Sequence, residues 1–352
     1  MANVLYYNLN AYCSKINQTD PDEQAEFSEV RDIVILANAN DYYFSIIRFT
    51  LQSNNIPILI PKIQTGQDNV NLCTYGMVLN YNNGATISDP CYLQYVQRNK
   101  YMNTVVASPA NGQSDSQYYY IFNIQDVVDM FNTCSSACMA NLKVKNNAIT
   151  SKAPFMVYND NNTFSIYYDQ TNFGNNLTLC FNDDLYNLFR NFNCGVINGN
   201  GFNYQMIVSN KMTNSVTIGG TAYYLETQNF NSMQNWSPVQ SIVFFSQIGT
   251  LSEYVANPQV LNTQSRFGLS GNNVQPIVTD IILPIDNPCD YNSFVMYNAN
   301  VYREAEMNIK DLRNMTLQVF WKAKNGNVYP IMLSDGDNVT AKIKLQKKRT
   351  LV

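Results

Sequence analysis

The chain has 352 residues, 45% of them apolar and only 14% charged, with a net charge of −4 and no histidine at all. That length and apolar content are enough for one large or two medium domains, and the weak negative charge points to no polyanionic partner for the chain as a whole. The missing imidazole removes the commonest general base, the commonest metal ligand and every Ser/His or Cys/His nucleophile pair, so an enzyme is disfavoured by absence of parts. Polarity comes instead from 52 Asn, set beside 25 Tyr and 18 Phe. Asn favours turns while Tyr and Phe favour strands, so the composition predicts many short strands joined by Asn-rich turns.

In chain order, MANVLYYNLN lacks a basic region followed by an apolar core, and no signal peptide is expected. No run of about eighteen apolar residues occurs, so no membrane span is expected. A Tyr/Asn-rich strand opens the chain, an acidic polar loop runs from Asp20 to Glu29, and Ile33 to Leu36 reads as a short buried run. The stretch DYYFSIIRFTLQSNNIPILIPK, Asp41 to Lys62, is the organising one. Tyr42 to Leu51 reads as a central strand, apolar on both faces at its start, with Tyr43, Ile47, Phe49 and Leu51 pointing one way and Tyr42, Phe44, Ile46 and Arg48 the other. After the Ser53-Asn54-Asn55 turn, Ile56 to Pro61 reads as a second strand, which Pro57 and Pro61 confine to a sheet edge.

Short apolar pieces between Asn/Gly/Pro turns follow from Gln64 to Gln113, Asn82-Asn83-Gly84 among them, and Tyr118 to Phe122 is strand-like. The period then changes. Ile124, Val127, Val128, Phe131, Cys134, Cys138 and Leu142 recur at helical spacing, with Asn123 placed to cap the helix and Asp126 beside the positive end of its dipole. A second, shorter helix is marked by Leu185, Leu188, Phe189 and Phe192, with Asn182 at its start and Gly195 suited to its end. Strands are predicted at Phe155 to Tyr158 and Phe164 to Tyr168, and again at Tyr204 to Val208, Ser215 to Ile218, Ala222 to Leu225, Ser241 to Phe245 and Ile277 to Leu283. Asn257 to Gln275 reads as a long surface loop. At the C-terminus, Met315 to Trp321, Val328 to Leu333 and Val339 to Leu345 form a predicted three-strand meander turned at Asn325-Gly326 and at Ser334 to Asn338, ending at a basic edge.

Few residues invite chemistry. Cys134 and Cys138 have zinc-like i, i+4 spacing, but they lie on an apolar stripe where small buried thiols are the ordinary occupants. Asp183-Asp184 suits the first turn of a helix, and Asp335-Gly336-Asp337 fits a turn better than a calcium loop, whose other oxygen ligands are missing. The eight Cys, without a secretory signal, read as buried thiols rather than a disulfide framework. No phosphate- or dinucleotide-binding glycine motif is present, and no cofactor is expected. The terminal AKIKLQKKRTLV carries five cations and no acid; Lys347, Lys348 and Arg349 are candidates to touch nucleic acid or an acidic neighbour, or merely to guard a sheet edge. Arg48 is a candidate partly buried interface charge, although a role within its own subunit is the commoner use of such an arginine.

Several segments together resemble one family. DYYFSIIRFTLQSNNIPILIPK, YYYIFNIQDVVDMFNTC (Tyr118 to Cys134), APFMVYNDNNTFSIYY (Ala153 to Tyr168), FNDDLYNLFRNF (Phe181 to Phe192), NWSPVQSIVFFS (Asn235 to Ser246) and the closing stretch from Asp311 to Lys348 look, in that order, like the penton or minor capsid proteins of virophages and polinton-like DNA viruses. These belong to the tectivirus–adenovirus capsid lineage. The resemblance implies a mainly β fold: a single jelly-roll β-sandwich of eight antiparallel strands from 1–95 and 235–352, with an α+β insertion domain at 96–234. It implies a structural penton, homopentameric at the fivefold vertices of an icosahedral double-stranded DNA virus particle and assembled in the host cytoplasm. The implied partners are further copies of the chain, the major capsid protein, the packaged DNA through the basic C-terminus, and a host or giant-virus receptor. The alternative is a fibre- or lectin-like β-sandwich whose Tyr and Asn bind a receptor or glycan.

Overall fold

Strands whose inner residues are apolar and whose outer residues are polar dominate the computed structural model, which describes residues 4–15, 22–97, 117–173, 176–208, 215–246, 248, 277–282, 294–298, 303–324 and 327–348. The chain divides into two compact units, Met1–Ile58 with Pro238–Val352, and Leu59–Ser237.

The main strands of the first unit are β1 (Val4–Tyr12), β2 (Glu26–Val30), β3 (Tyr42–Gln52), β4 (Val239–Phe245), β5 (Ile277–Ile282), β6 (Phe294–Asn298), β7 (Asn314–Ala323) and β8 (Asn338–Lys347). Every pairing among them is antiparallel, and they form two sheets in the orders β1-β8-β3-β6 and β2-β7-β4-β5. This interleaving of two Greek keys is the jelly-roll arrangement. Phe44, Ile46, Phe49, Leu51, Val339, Ala341, Ile343 and Leu345 bury one inner face. Across the sandwich the ring of Phe49 meets Phe244 edge to face at 4.8 Å, a pair worth about 0.5–1.5 kcal/mol beyond the area it buries. Strand β4 is apolar on its other face too, where Val243 and Phe245 pack with Phe320 and Val328.

Five expectations need correction here. The alternation in β3 does not run through unbroken: Lys342 pairs with Arg48 but Ile343 pairs with Ile46, so Ile47 is an extra residue in a β-bulge. The bulge shifts the phase, and Phe44 and Ile46 face the same core as Phe49 and Leu51. Ile56 to Pro61 forms no strand; a 3-10 turn (Ser53–Asn55) ends β3, and Leu59 makes a single bridge, to Ile121. Within the acidic stretch expected as a loop, Glu26 to Glu29 belong to β2, which pairs with β7, and Ile33 is 79% exposed rather than buried. Finally, the C-terminal segments are not a meander. Strand β7 turns back into Val328–Pro330, but β8 crosses to the other sheet and lies between β1 and β3. The Asn325-Gly326 turn and the Asn257 to Gln275 loop lie outside the described residues.

The second unit begins at Leu59, so the boundary expected at 95 moves. The reason is pairing: Leu72–Tyr81 hydrogen-bonds Leu177–Phe181, and Cys91–Gln94 pairs with Leu72–Tyr81 in turn. A second sheet orders Ser215–Ile218, Thr221–Thr227, Phe164–Asp169 and Phe155–Tyr158. Helix α1 (Ile124–Lys145) buries the predicted stripe, and the Asn123 side chain accepts from the Gln125 N–H at 2.8 Å. In the short helix α2 (Asp183–Leu188), Asn182 accepts from the Leu185 N–H at 2.9 Å. That helix stops at Phe189, while Gly195 sits in a strand, Cys194–Val196. Phe131 packs on Phe181 and Phe189, and Phe189 on Phe164 and Trp236, whose indole N–H donates to the Leu188 carbonyl at 2.6 Å. Tyr118 to Phe122 is a 3-10 turn (Gln117–Tyr119) and one bridge rather than a strand. Among the described residues, no helix is long and apolar enough to cross a membrane.

Candidate assembly surface

The residues that chemistry could use gather on the outer face of the β1-β8-β3-β6 sheet. Because β8 is central, the residues that alternate with its buried set, Thr340, Lys342 and Lys344, all face outward beside their neighbours in register. Lys342 lies opposite Asn8 on one side and Arg48 on the other, and Arg48 lies opposite Asn298. One residue further along that face, Thr340 lies between Asn10 and Thr50, whose hydroxyl hydrogen-bonds that of Thr340. Tyr6 (57% exposed), Tyr12 (62%) and Met296 (74%) present large apolar surface around these polar rows. The Lys342 ammonium sits 4.9 Å from the centre of the Tyr6 ring.

Arg48 is therefore exposed, not partly buried, and it faces a lysine rather than a carboxylate within its own chain. The Ile47 bulge is the cause, since it turns Arg48 to the outer face. Of the basic tail, Lys347 is exposed at the end of β8, and Arg349 lies outside the described residues. Lys348 is engaged at home: its backbone N–H donates to the Asp41 carbonyl at 2.7 Å, and its ammonium lies 3.5 Å from Glu306 and 5.4 Å from the Tyr43 ring centre. Since β8 pairs on both sides, its lysines do not guard a sheet edge. The sequence reading passed over Tyr6, Tyr12 and Met296, although the alternation YYNLNAY carried the signal for the first two.

The acidic turn before β8 binds the protein to itself. Asp335 accepts from the Lys15 N–H at 2.9 Å, and Asp337 accepts from the Ser334 N–H at 2.9 Å. With its amide nitrogen turned toward Asp337, Asn55 donates to that carboxylate at 2.8 Å and to the Met332 carbonyl at 3.1 Å. Burial raises the Asp337 pKa against these donors. Nearby, Lys15 forms a buried ion pair with Asp22. These oxygens already have protein donors, and among the described residues no group of three or more metal-ligating side chains is assembled. Asp184 in the first turn of α2 pairs with Lys62 at 2.8 Å, and Cys134 and Cys138 are buried on α1. A cavity of about 160 Å³ in the second unit is lined mainly by Tyr168, Phe173, Leu177, Leu179, Met206 and Ile207, with Thr178 and Gln205 adding polar side chains beside the Tyr168 ring.

A jelly-roll sandwich that carries a second unit between β3 and β4, and whose outward chemistry is a surface rather than a pocket, has the form of a structural protein. The profile of the Sputnik minor capsid protein V18/19 family matches residues 5–347, so the chain belongs to that family. It is a structural capsid family, not an enzyme family, and membership places the chain among proteins of the virion capsid. The protein "Uncharacterized protein V18" of Sputnik virophage is 30% identical over 104 residues, a match that covers 28% of this chain and 61% of that relative. A chain in the 3.5 Å cryo-EM structure of the Sputnik virophage superposes with a TM-score of 0.72 at 22% identity, covering 99% of each chain. The crystal structure of the mavirus penton protein superposes with a TM-score of 0.63 at 15% identity, covering 98% of this chain and 99% of that one. These two likenesses show a shared fold.

Proposed function

We propose that this chain is a penton: a vertex capsomer of which five copies close a ring at each fivefold axis of an icosahedral double-stranded DNA virus particle. The observation that carries the reading is one jelly roll, not two, among the described residues of a chain whose residues 5–347 match a minor capsid family. A ring of identical subunits uses one heterologous contact per neighbour and closes when each rotation is one fifth of a turn. The chain has few charges to hold flanks apart, and Asn and Gln hydrogen-bond across an interface without the desolvation cost of ions.

In this reading the outer face of the β1-β8-β3-β6 sheet meets an acidic surface of the capsid, either the next copy or the major capsid protein. Arg48 opposite Lys342 supports it, because like charges directly opposed cost stability that an external carboxylate returns. Lys347 and Arg349 are the tail residues proposed to reach packaged DNA or a capsid neighbour, and the second unit is the proposed contact with a host or giant-virus receptor. Assembly is proposed to take place in the host cytoplasm. Native mass spectrometry of capsomers released gently from particles tests the ring: pentamers of the 40.1 kDa chain support it, and trimers overturn it.

A further inference from the structure

Seven cysteines of the described residues carry free thiols, and two of them stand together. Cys91 opens the strand Cys91–Gln94 and lies opposite Met77 in the ladder. Cys138 comes from α1 and brings its sulfur to within 3.9 Å of the same residue's carbonyl oxygen. Both thiols thus border Met77, and their side chains lie within hydrogen-bonding reach of each other. Their surroundings differ. Cys91 is partly exposed, whereas Cys138 is fully buried and its sulfur lies 3.0 Å from the Ser88 hydroxyl oxygen. That hydroxyl oxygen also accepts the Leu79 N–H at 3.0 Å.

We infer that Cys91 and Cys138 form an attacking and resolving pair that closes into an intramolecular disulfide when the folded chain meets a small disulfide such as oxidised glutathione. The Cys91 thiolate attacks one sulfur of the oxidant, the oxidant's S–S bond breaks, and one glutathione leaves as thiolate. Cys138 then gives up its proton, attacks the Cys91 sulfur and displaces the second glutathione. The chain loses two electrons and two protons, and the oxidant is reduced to two thiols. The contact between the sulfurs lowers the Cys91 pKa and raises that of Cys138, which suits the exposed thiol to the first attack. Closure ties α1 covalently to the strand it packs on. On the capsid reading, the pair stays reduced during assembly in a cell and closes once the particle is released to an oxidising exterior. The chemistry itself does not depend on that reading.

The test uses the purified full chain, incubated with oxidised glutathione and then digested without reduction. The expected result is a loss of two hydrogens in the intact mass, a cross-linked peptide joining residues 91 and 138, and a higher melting temperature than the reduced chain. In Cys138→Ala the reaction is expected to stop at a glutathione adduct on Cys91, and in Cys91→Ala no adduct forms at residue 138. A stable adduct on Cys91 in the unmodified sequence, a cross-link to Cys134 in place of Cys138, or an unchanged mass overturns the inference. Since these readouts are taken on the unmodified sequence, they stand even if a variant misfolds, and they are independent of particle symmetry.

Discussion

Arg48 and Lys342 stand directly opposite each other on an exposed sheet face, and a single substitution there separates folding from assembly. Arg48→Glu replaces a like-charge pair by an opposite-charge one, so the isolated chain is expected to gain about 0.2–1 kcal/mol in urea unfolding. The same change is expected to weaken particle assembly, because the acidic neighbour proposed for this face would then meet another acid. A more stable chain that still assembles normally would remove Arg48 from the interface. Asp169 gives a pH-dependent counterpart in the second unit. Burial pushes its pKa up, but N–H groups of Lys152 and Thr171 and the Thr171 hydroxyl outweigh that, and the net shift is downward. A carboxyl with a depressed folded pKa contributes stability that is full above its unfolded value near 3.8 and is lost as pH falls through the folded value. Asp169→Asn is thus expected to lower stability at neutral pH and to flatten its fall between neutral and acid pH. An unchanged slope in urea midpoints against pH would contradict this.

The two helices show what was legible at the scale of elements. Their apolar spacing and their Asn caps are local properties, readable without knowing what the helix packs against, and both are found as expected. The caps are not equal, however. Asn123 holds only the first turn of α1, and Asn123→Ala is expected to cost about 1 kcal/mol. Asn182 also takes the Gly76 N–H at 3.0 Å and donates to the Thr74 carbonyl at 2.7 Å, tying α2 to Leu72–Tyr81, so Asn182→Ala is expected to cost distinctly more in thermal or urea melts. Equal losses would mean that the cross-links to the strand carry little. Strands were less legible for a physical reason. Their partners are distant in sequence, and one extra residue reverses every side chain beyond it, as Ile47 does in β3. Alternation showed that β8 has an apolar face, but not that β1 and β3 flank it, so an edge was expected where the structure has a centre.

For the whole molecule, the chain leaves the sandwich after Ile58 and returns at Pro238. Both ends of the excursion belong to the same set of sheets, and loop length costs little once such ends are held. Joining Ile58 to Pro238 by a short Gly/Ser linker is accordingly expected to leave a folded β protein with a cooperative melt; an unfolded product would show that the sandwich depends on the second unit. The candidate surface was only half visible from the sequence: the cations were plain, but which of them face outward together depends on the bulge and on the position of β8. The claim on which the rest turns is the place of the chain in a particle, and cryo-EM of the virion vertices tests it most directly. The account predicts density at each fivefold axis that takes five copies of this jelly roll, with β8 inside its sheet. Vertices filled by another protein, with this chain found as trimers on the capsid faces, would contradict it.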